Sequence, residues 1–262
     1  MNLDLTGKKA LVCGSTQGLG LGSAVELAFL GCDVVLMARN EKKLKEALKI
    51  LDVSKGQKHQ FIVADFQFPQ VVKNGIEKYL SKKNIINILV NNTGGPKGGS
   101  VINAEPEDFL FAFNAHLICN QLLMKAVLPG MKQSGYGRIV NIISTSVKEP
   151  IAGLAVSNTI RAAVASWAKT LANELGEFGI TVNNVLPGYT RTARFDSLKK
   201  SRAEKSGVNE DKVEENILST IPLKKIGDAA EFGAAVAFLC SPAASYISGI
   251  NLPVDGGKLA CL

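Results

Sequence analysis

Strand-like and helix-like segments alternate along the whole 262-residue chain, which predicts an α/β fold. The expected form is a single-domain, doubly wound parallel sheet of about seven strands with helices on both faces. Three observations carry this. The alternation is the first. The second is that the strand segments are rich in Val, Ile and Leu with little polar alternation, as expected when both faces of a sheet are covered. The third is a glycine-rich turn between the first strand and the first helix.

Expected strands are 8–13, 33–38, 59–64, 86–91, 137–143, 180–186 and 250–254. Helical patterns lie near 18–30, 41–52, 69–81, 105–133, 152–176 and 228–240. Such a fold places its ligand crevice at the carboxyl ends of the strands, where the two halves of the sheet meet. Residues 189–222 break the rhythm: they are polar and charged, and follow a strand ending at Pro187-Gly188. An insertion there reads either as a substrate lid or as a solvated helical excursion, and a lid's outer face is solvated anyway.

No Pro/Gly/Ser-rich linker or internal repeat divides the chain, so one domain over 1–262 is expected. A hydrophobic content of 46% supports a sizeable core. No apolar run is read as long enough to span a membrane, and the first residues lack the apolar centre of a signal peptide. A cytoplasmic protein with no membrane partner is expected. The five cysteines (Cys13, Cys32, Cys119, Cys240, Cys261) form no Cys-x-x-Cys pair, and the two histidines are His59 and His116. Neither a disulfide framework nor a metal site is expected. The net charge of +7 is dispersed, with no basic run interleaved with aromatics, so no nucleic-acid partner is expected. The one local excess is at 191–205, where Arg191, Arg194, Lys199, Lys200, Arg202 and Lys205 face only Asp196 and Glu204. It suits either an anionic substrate or a solvated lid face.

The glycine turn holds Gly14, Ser15, Gly18, Leu19 and Gly20, in the spacing Gly-x3-Gly-x-Gly. Glycines tolerate positive φ and let backbone approach a ligand, and the free N–H groups of a helix start attract a diphosphate. After the second strand come Ala38 and Arg39, where a carboxylate would accept adenosine ribose hydroxyls. An arginine there pairs with a 2′-phosphate, so NADP is favoured over NAD. Asp65, at the end of the third strand, fits either an adenine contact or a turn. Asn91, at the end of the fourth, fits either a cofactor contact or a tie between strands.

Taken together, Gly14, Gly18 and Gly20, the run Asn91–Gly94, Arg138 with Asn141 and Ser144, Gly179 with Asn183, Pro187 and Gly188, and Ser248-Gly249 with Asp255–Gly257 resemble the short-chain dehydrogenase/reductase family. The resemblance covers nearly the whole chain and points to the classical branch, among 3-oxoacyl-[acyl-carrier-protein] reductases. It implies a Rossmann-like fold, an NADP-dependent oxidoreductase acting on a carbonyl or hydroxyl group, and a homotetramer built on the helices at 105–133 and 152–176. It also implies that Thr192 and Thr190 hold the nicotinamide carboxamide, beside Pro187 and Gly188.

In that family a Ser, Tyr and Lys, helped by an Asn, carry the reaction. Carried over, Ser144 matches the Ser and Asn114 the Asn. Thirteen residues after Ser144, where the Tyr belongs, stands Ser157, and four further on, where the Lys belongs, stands Arg161. The literal Tyr79-x-x-x-Lys83 lies on a surface helix before the fourth strand and is read as chance. A serine hydroxyl is far less acidic than a phenol of pKa about 10, and an arginine shuttles no proton at neutral pH. The smaller serine makes room for the wider guanidinium, so the two read as a coupled pair. Two outcomes follow. Either hydride chemistry persists on a small, anionic or carrier-bound carbonyl substrate, with Ser144 and Asn114 polarising it, Arg161 stabilising charge, Arg161 also reaching the ribose, and water or Tyr189 giving the proton; or the chain is a catalytically silent dinucleotide-binding sensor or subunit.

Overall fold

A computed structural model describes residues 1–261; the last residue of the expected 1–262 domain lies outside the described residues. Seven strands form one sheet: β1 (Lys9–Cys13), β2 (Asp33–Ala38), β3 (Gln60–Val63), β4 (Ile88–Asn91), β5 (Gly137–Ile142), β6 (Ile180–Pro187) and β7 (Asn251–Val254). Their order is β3-β2-β1-β4-β5-β6-β7, and every pairing is parallel. Each expected strand is present within two residues of its expected bounds.

The crossovers are helical: α1 (Gly18–Phe29), α2 (Glu41–Leu48), α3 (Pro69–Leu80), α4 (Pro106–Phe113), α5 (Cys119–Ser134) and α6 (Ala155–Leu175), with α7 (Ala193–Ser206), α8 (Glu210–Ser219) and α9 (Ala229–Cys240) between the last two strands. The period-2 rule sorts the strand side chains into two layers. Ala10 and Val12 of β1 pack with α1 and α9, whereas Leu11 and Cys13 pack with residues of α3 and α5. Burial on both faces explains why these strands read as continuous apolar runs.

The expected single helix over 105–133 is two helices joined by a π-helical turn at Asn114–Ile118. Such turns re-aim side chains within a helix and recur at functional sites. The stretch Pro106–Ser134 is long and apolar enough, by length and composition, to cross a membrane, which corrects the expectation that no run reaches that length. Its inner face packs on β4, β5 and α3, so its apolar residues belong to the sheet core.

A row of four asparagines crosses the carboxyl half of the sheet. Asn91, Asn141, Asn184 and Asn251 are register partners on β4 to β7. Asn91 Nδ2 donates to Asn141 Oδ1 at 2.9 Å, Asn141 Nδ2 to Asn184 Oδ1 at 2.9 Å, and Asn184 Nδ2 to Asn251 Oδ1 at 2.8 Å. The row sits on the side of α5 and α6 and locks the register of the strands that carry the site. Asn91 is therefore a tie between strands. Replacing Asn141 by Ala leaves a donor and an acceptor unmet in a buried layer. Asn141→Ala is expected to lower unfolding free energy by about 2–4 kcal/mol, read from urea denaturation; a loss below about 0.5 kcal/mol would show that the row adds nothing.

Candidate functional site

The chain leaves β1 in one direction for β2 and β3, and later in the other for β4 to β7. The carboxyl ends on either side of that divide enclose a cleft of about 780 Å³. At its near end lies the turn from β1 into α1. Gly14 and Gly18 both hold φ near +56°, a region closed to most side chains. Gln17, at the N-cap of α1, makes no side-chain capping bond, and among the described residues no acceptor is found for the N–H groups of Gly18 and Leu19, two residues that line the cleft. Gly94 and Gly95, after β4, line the same surface, and a Cβ at either would meet nothing within 4 Å. The cleft therefore has the free donors and open backbone that a dinucleotide diphosphate requires.

Gly20 has a different reason. It is buried, and a Cβ there would stand 2.4 Å from Gly14 O, so it closes the turn and does not face the cleft. Ser15 is also withdrawn: it is buried, and its Oγ accepts from Met37 N at 3.1 Å, tying the turn to β2. Gly14, Gly18 and Leu19 do line the cleft.

On the β2 and β3 side, Ala38, Arg39 and Asp65 line the cleft. Arg39 is exposed, with Nη1 3.9 Å from Asp65 Oδ2. Asp65 Oδ1 accepts from Gln67 N at 3.0 Å, which is turn chemistry. On the β6 side, Pro187, Gly188, Thr190 and Thr192 line the cleft. Thr192 is also the N-cap of α7, its Oγ1 accepting from Phe195 N at 3.3 Å.

At the far end Ser144, Ser157 and Arg161 line the cleft together. Ser144 follows β5, and its Oγ accepts from Ser146 N at 3.0 Å. Ser157 and Arg161 lie one turn apart on the same face of α6. The Arg161 guanidinium is buried, with Nη1 donating to Ile142 O at 3.0 Å, which holds it against the end of β5. Burial lowers its pKa to about 10, so it remains a cation at neutral pH.

The structure does not bring Asn114 into this corner. Asn114 opens the π-helical turn, is exposed, and is not among the residues lining the cleft. The buried polar member of that turn is His116, whose pKa burial pushes down to about 2, with the nearby Arg161 charge acting in the same direction. The turn sets His116, and not Asn114, on its buried face. The one available signal was a histidine in an otherwise apolar stretch.

The expected lid region holds α7 and α8, which share a small core of Phe195, Ala203, Val213 and Ile217. Tyr189 belongs to it. Its ring meets Phe195 edge-on at 6.1 Å, and its hydroxyl accepts from Arg202 Nη1 at 3.1 Å. The basic cluster is partly neutralised: Arg191 and Lys199 both reach Glu214, at 3.3 and 3.0 Å. Arg194 is the member that lines the cleft. Tyr79 lies outside it, donating to Gln60 Oε1 at 2.9 Å.

Residues 14–258 match the family model described as Enoyl-(Acyl carrier protein) reductase. The chain is 30% identical over 253 residues to the NADPH-dependent reductase BacG of Bacillus subtilis (strain 168), covering 96% of this chain and 98% of that protein. It is 32% identical over 253 residues to the 3-oxoacyl-[acyl-carrier-protein] reductase FabG of Haemophilus influenzae, covering 97% and 98%. The crystal structure of L-sorbose reductase from Gluconobacter frateurii, complexed with NADPH and L-sorbose, superposes with a TM-score of 0.93 at 29% identity, covering all of both chains.

Two predictions follow from this geometry. Gly94→Val is expected to leave stability within about 0.5 kcal/mol of the parent while weakening dinucleotide binding by about tenfold or more, whereas Gly20→Ala lowers stability itself by about 1–3 kcal/mol. Calorimetric titration beside urea denaturation separates the two, and equal loss of stability would refute the division. The second concerns pH. His116 has a folded-state pKa of about 2 against 6.5 when unfolded, so the unfolded chain binds the extra proton between these values. Its contribution to stability is complete above pH 6.5 and is lost as pH falls. His116→Asn should flatten that decline by roughly 1 kcal/mol per pH unit between about pH 6 and pH 5. An unchanged slope would mean that the imidazole is not buried in its neutral form.

Proposed function

The chain belongs to the short-chain dehydrogenase/reductase family, in its classical branch, and we propose that it is an NADP-dependent oxidoreductase transferring a hydride between nicotinamide and a carbonyl or hydroxyl group of a small molecule. One observation carries the reading: a single cleft runs unbroken from the glycine turn at Gly14 to the corner of Ser144, Ser157 and Arg161. The diphosphate takes the free N–H groups at the start of α1. Arg39 takes the adenosine 2′-phosphate, and Ala38 puts no carboxylate at the end of β2 to repel it. The relatives named as NADPH-dependent or complexed with NADPH support the same cofactor. Thr190 and Thr192 hold the nicotinamide carboxamide.

NADPH, when bound, supplies the hydride. The residues of this chain orient the acceptor and bear its charge. The Ser144 hydroxyl donates to the acceptor oxygen, and the Arg161 guanidinium stabilises the negative charge that develops there. Ser157 leaves space for the guanidinium where a phenol would fill it. His116 stays neutral, and Tyr189, though it lines the cleft, has its hydroxyl held by Arg202, so the proton comes from water. Residues 189–222 form a lid that excludes solvent. The reading includes a tetramer, supported by Leu110 and Phe113, which leave α4 with an exposed apolar face.

A second reading is kept for one observation. The corner holds no tyrosine or lysine, so the fold can also serve as a catalytically silent dinucleotide-binding sensor or subunit. Calorimetry with NADPH and NADH, followed by steady-state oxidation of NADPH across a carbonyl panel, separates the two. We expect NADPH to bind more tightly than NADH, and Arg39→Glu to remove about 10–100-fold of that preference, the equivalent of one charge-assisted hydrogen bond. Ser144→Ala should lower kcat by roughly 100-fold or more. Tight NADPH binding with no turnover of any carbonyl would favour the silent reading, and no binding of either dinucleotide would end both.

A further inference from the structure

Arg161 is a cation without an anion. Its side chain is 8% exposed, deep at the far end of the cleft, and no ion pair among the described residues includes it. The guanidinium carries five N–H donors in a rigid planar fork, and its one acceptor among the described residues is Ile142 O. Burying a charge in this way is unfavourable unless a counter-charge arrives. The neighbouring polar side chain offers none, since His116 is neutral. The one carboxylate lining the cleft, Asp65, stands beside Arg39 on the β2–β3 side, away from this corner. Phe111, Leu154 and Pro96 add apolar lining to the same cleft.

Resting on the proposed hydride transfer, we infer that the substrate is a 2-oxo acid with an apolar side group, its carboxylate and carbonyl oxygens both held by the Arg161 fork. A 2-oxo acid presents one carboxylate oxygen and its carbonyl oxygen side by side in one plane, the acceptor pattern that a guanidinium fork matches. One group then does two things: it anchors the carboxylate and faces the oxygen on which charge develops. The hydride adds to the carbonyl carbon, and the C=O π pair moves onto the oxygen between Arg161 and Ser144. Water gives that oxygen its proton. The products are the 2-hydroxy acid, oxidised nicotinamide and hydroxide. The apolar side group lies against Phe111 and Leu154.

The test compares phenylpyruvate with its methyl ester, phenylacetone and a 3-oxoacyl thioester. These share a reducible carbonyl, and only the first carries a carboxylate beside it. We expect kcat/KM for phenylpyruvate to exceed that for each of the others by at least about tenfold, the effect of one lost charge-assisted contact. Arg161→Met should bring the preference over the ester to within about threefold, and Arg161→Lys, which keeps the charge without the fork, should fall between. Both variants are first shown to bind NADPH, and the Lys variant carries the comparison if the Met variant does not fold. Calorimetric binding of phenyllactate to the protein saturated with NADP⁺ gives a readout independent of turnover, expected to weaken about tenfold or more in either folded variant. Neutral ketones or the thioester reduced as well as the acid, or an acid preference untouched by changing Arg161, would overturn the proposal. If no compound is reduced, phenyllactate binding that depends on Arg161 upholds the carboxylate site while the hydride reading fails; binding that is absent or independent of Arg161 sinks the site as well.

Discussion

Everything in this molecule follows from the parallel pairing of β1 on both sides. Because parallel strands need crossovers, the chain leaves β1 for β2 and β3 in one direction and reaches β4 to β7 in the other. The loops after β1 and β4 are thereby sent to opposite sides of the divide, and a crevice opens between them at the carboxyl edge. The asparagine row across β4 to β7 then keeps that edge in register. A one-residue slip of β5 would move Ser144 and the carbonyl that anchors Arg161 by one strand position, out of the shared corner.

The corner sets a small hydroxyl, Ser157, and a large guanidinium, Arg161, one turn apart on one face of α6. The guanidinium is buried and bonded to Ile142 O. The neighbouring imidazole of His116 is held neutral, and Tyr189, which also lines the cleft, spends its hydroxyl on Arg202 and its ring on Phe195. Such a site works on acceptors whose negative charge a fixed cation can carry until solvent protonates it.

Much of this was legible from residue order. All seven strands and the site of the glycine turn follow from apolar runs and from Gly14 and Gly18, because a doubly covered sheet imposes a strong compositional pattern. Ser144, Ser157 and Arg161 all line one cleft. Other parts depended on three-dimensional detail. Ser15 and Gly20 sit in the same motif as Gly14 and Gly18, yet they serve the protein interior, and only the 2.4 Å approach of Gly14 O reveals it for Gly20. Asn91 pairs sideways with a strand distant in sequence, which no local pattern encodes. Asn114 opens a π-helical turn whose buried polar member is His116, and no local pattern announces such a turn within an apolar stretch.

The central claim is that one cleft holds NADPH with its reactive end at the Ser144–Arg161 corner. A crystal structure of the protein grown with NADPH tests it most directly. The account predicts the diphosphate on the N–H groups at the start of α1 and nicotinamide C4 facing the open space between Ser144 and the Arg161 guanidinium. Electron density placing the diphosphate elsewhere, or the nicotinamide turned away from that corner, would contradict it.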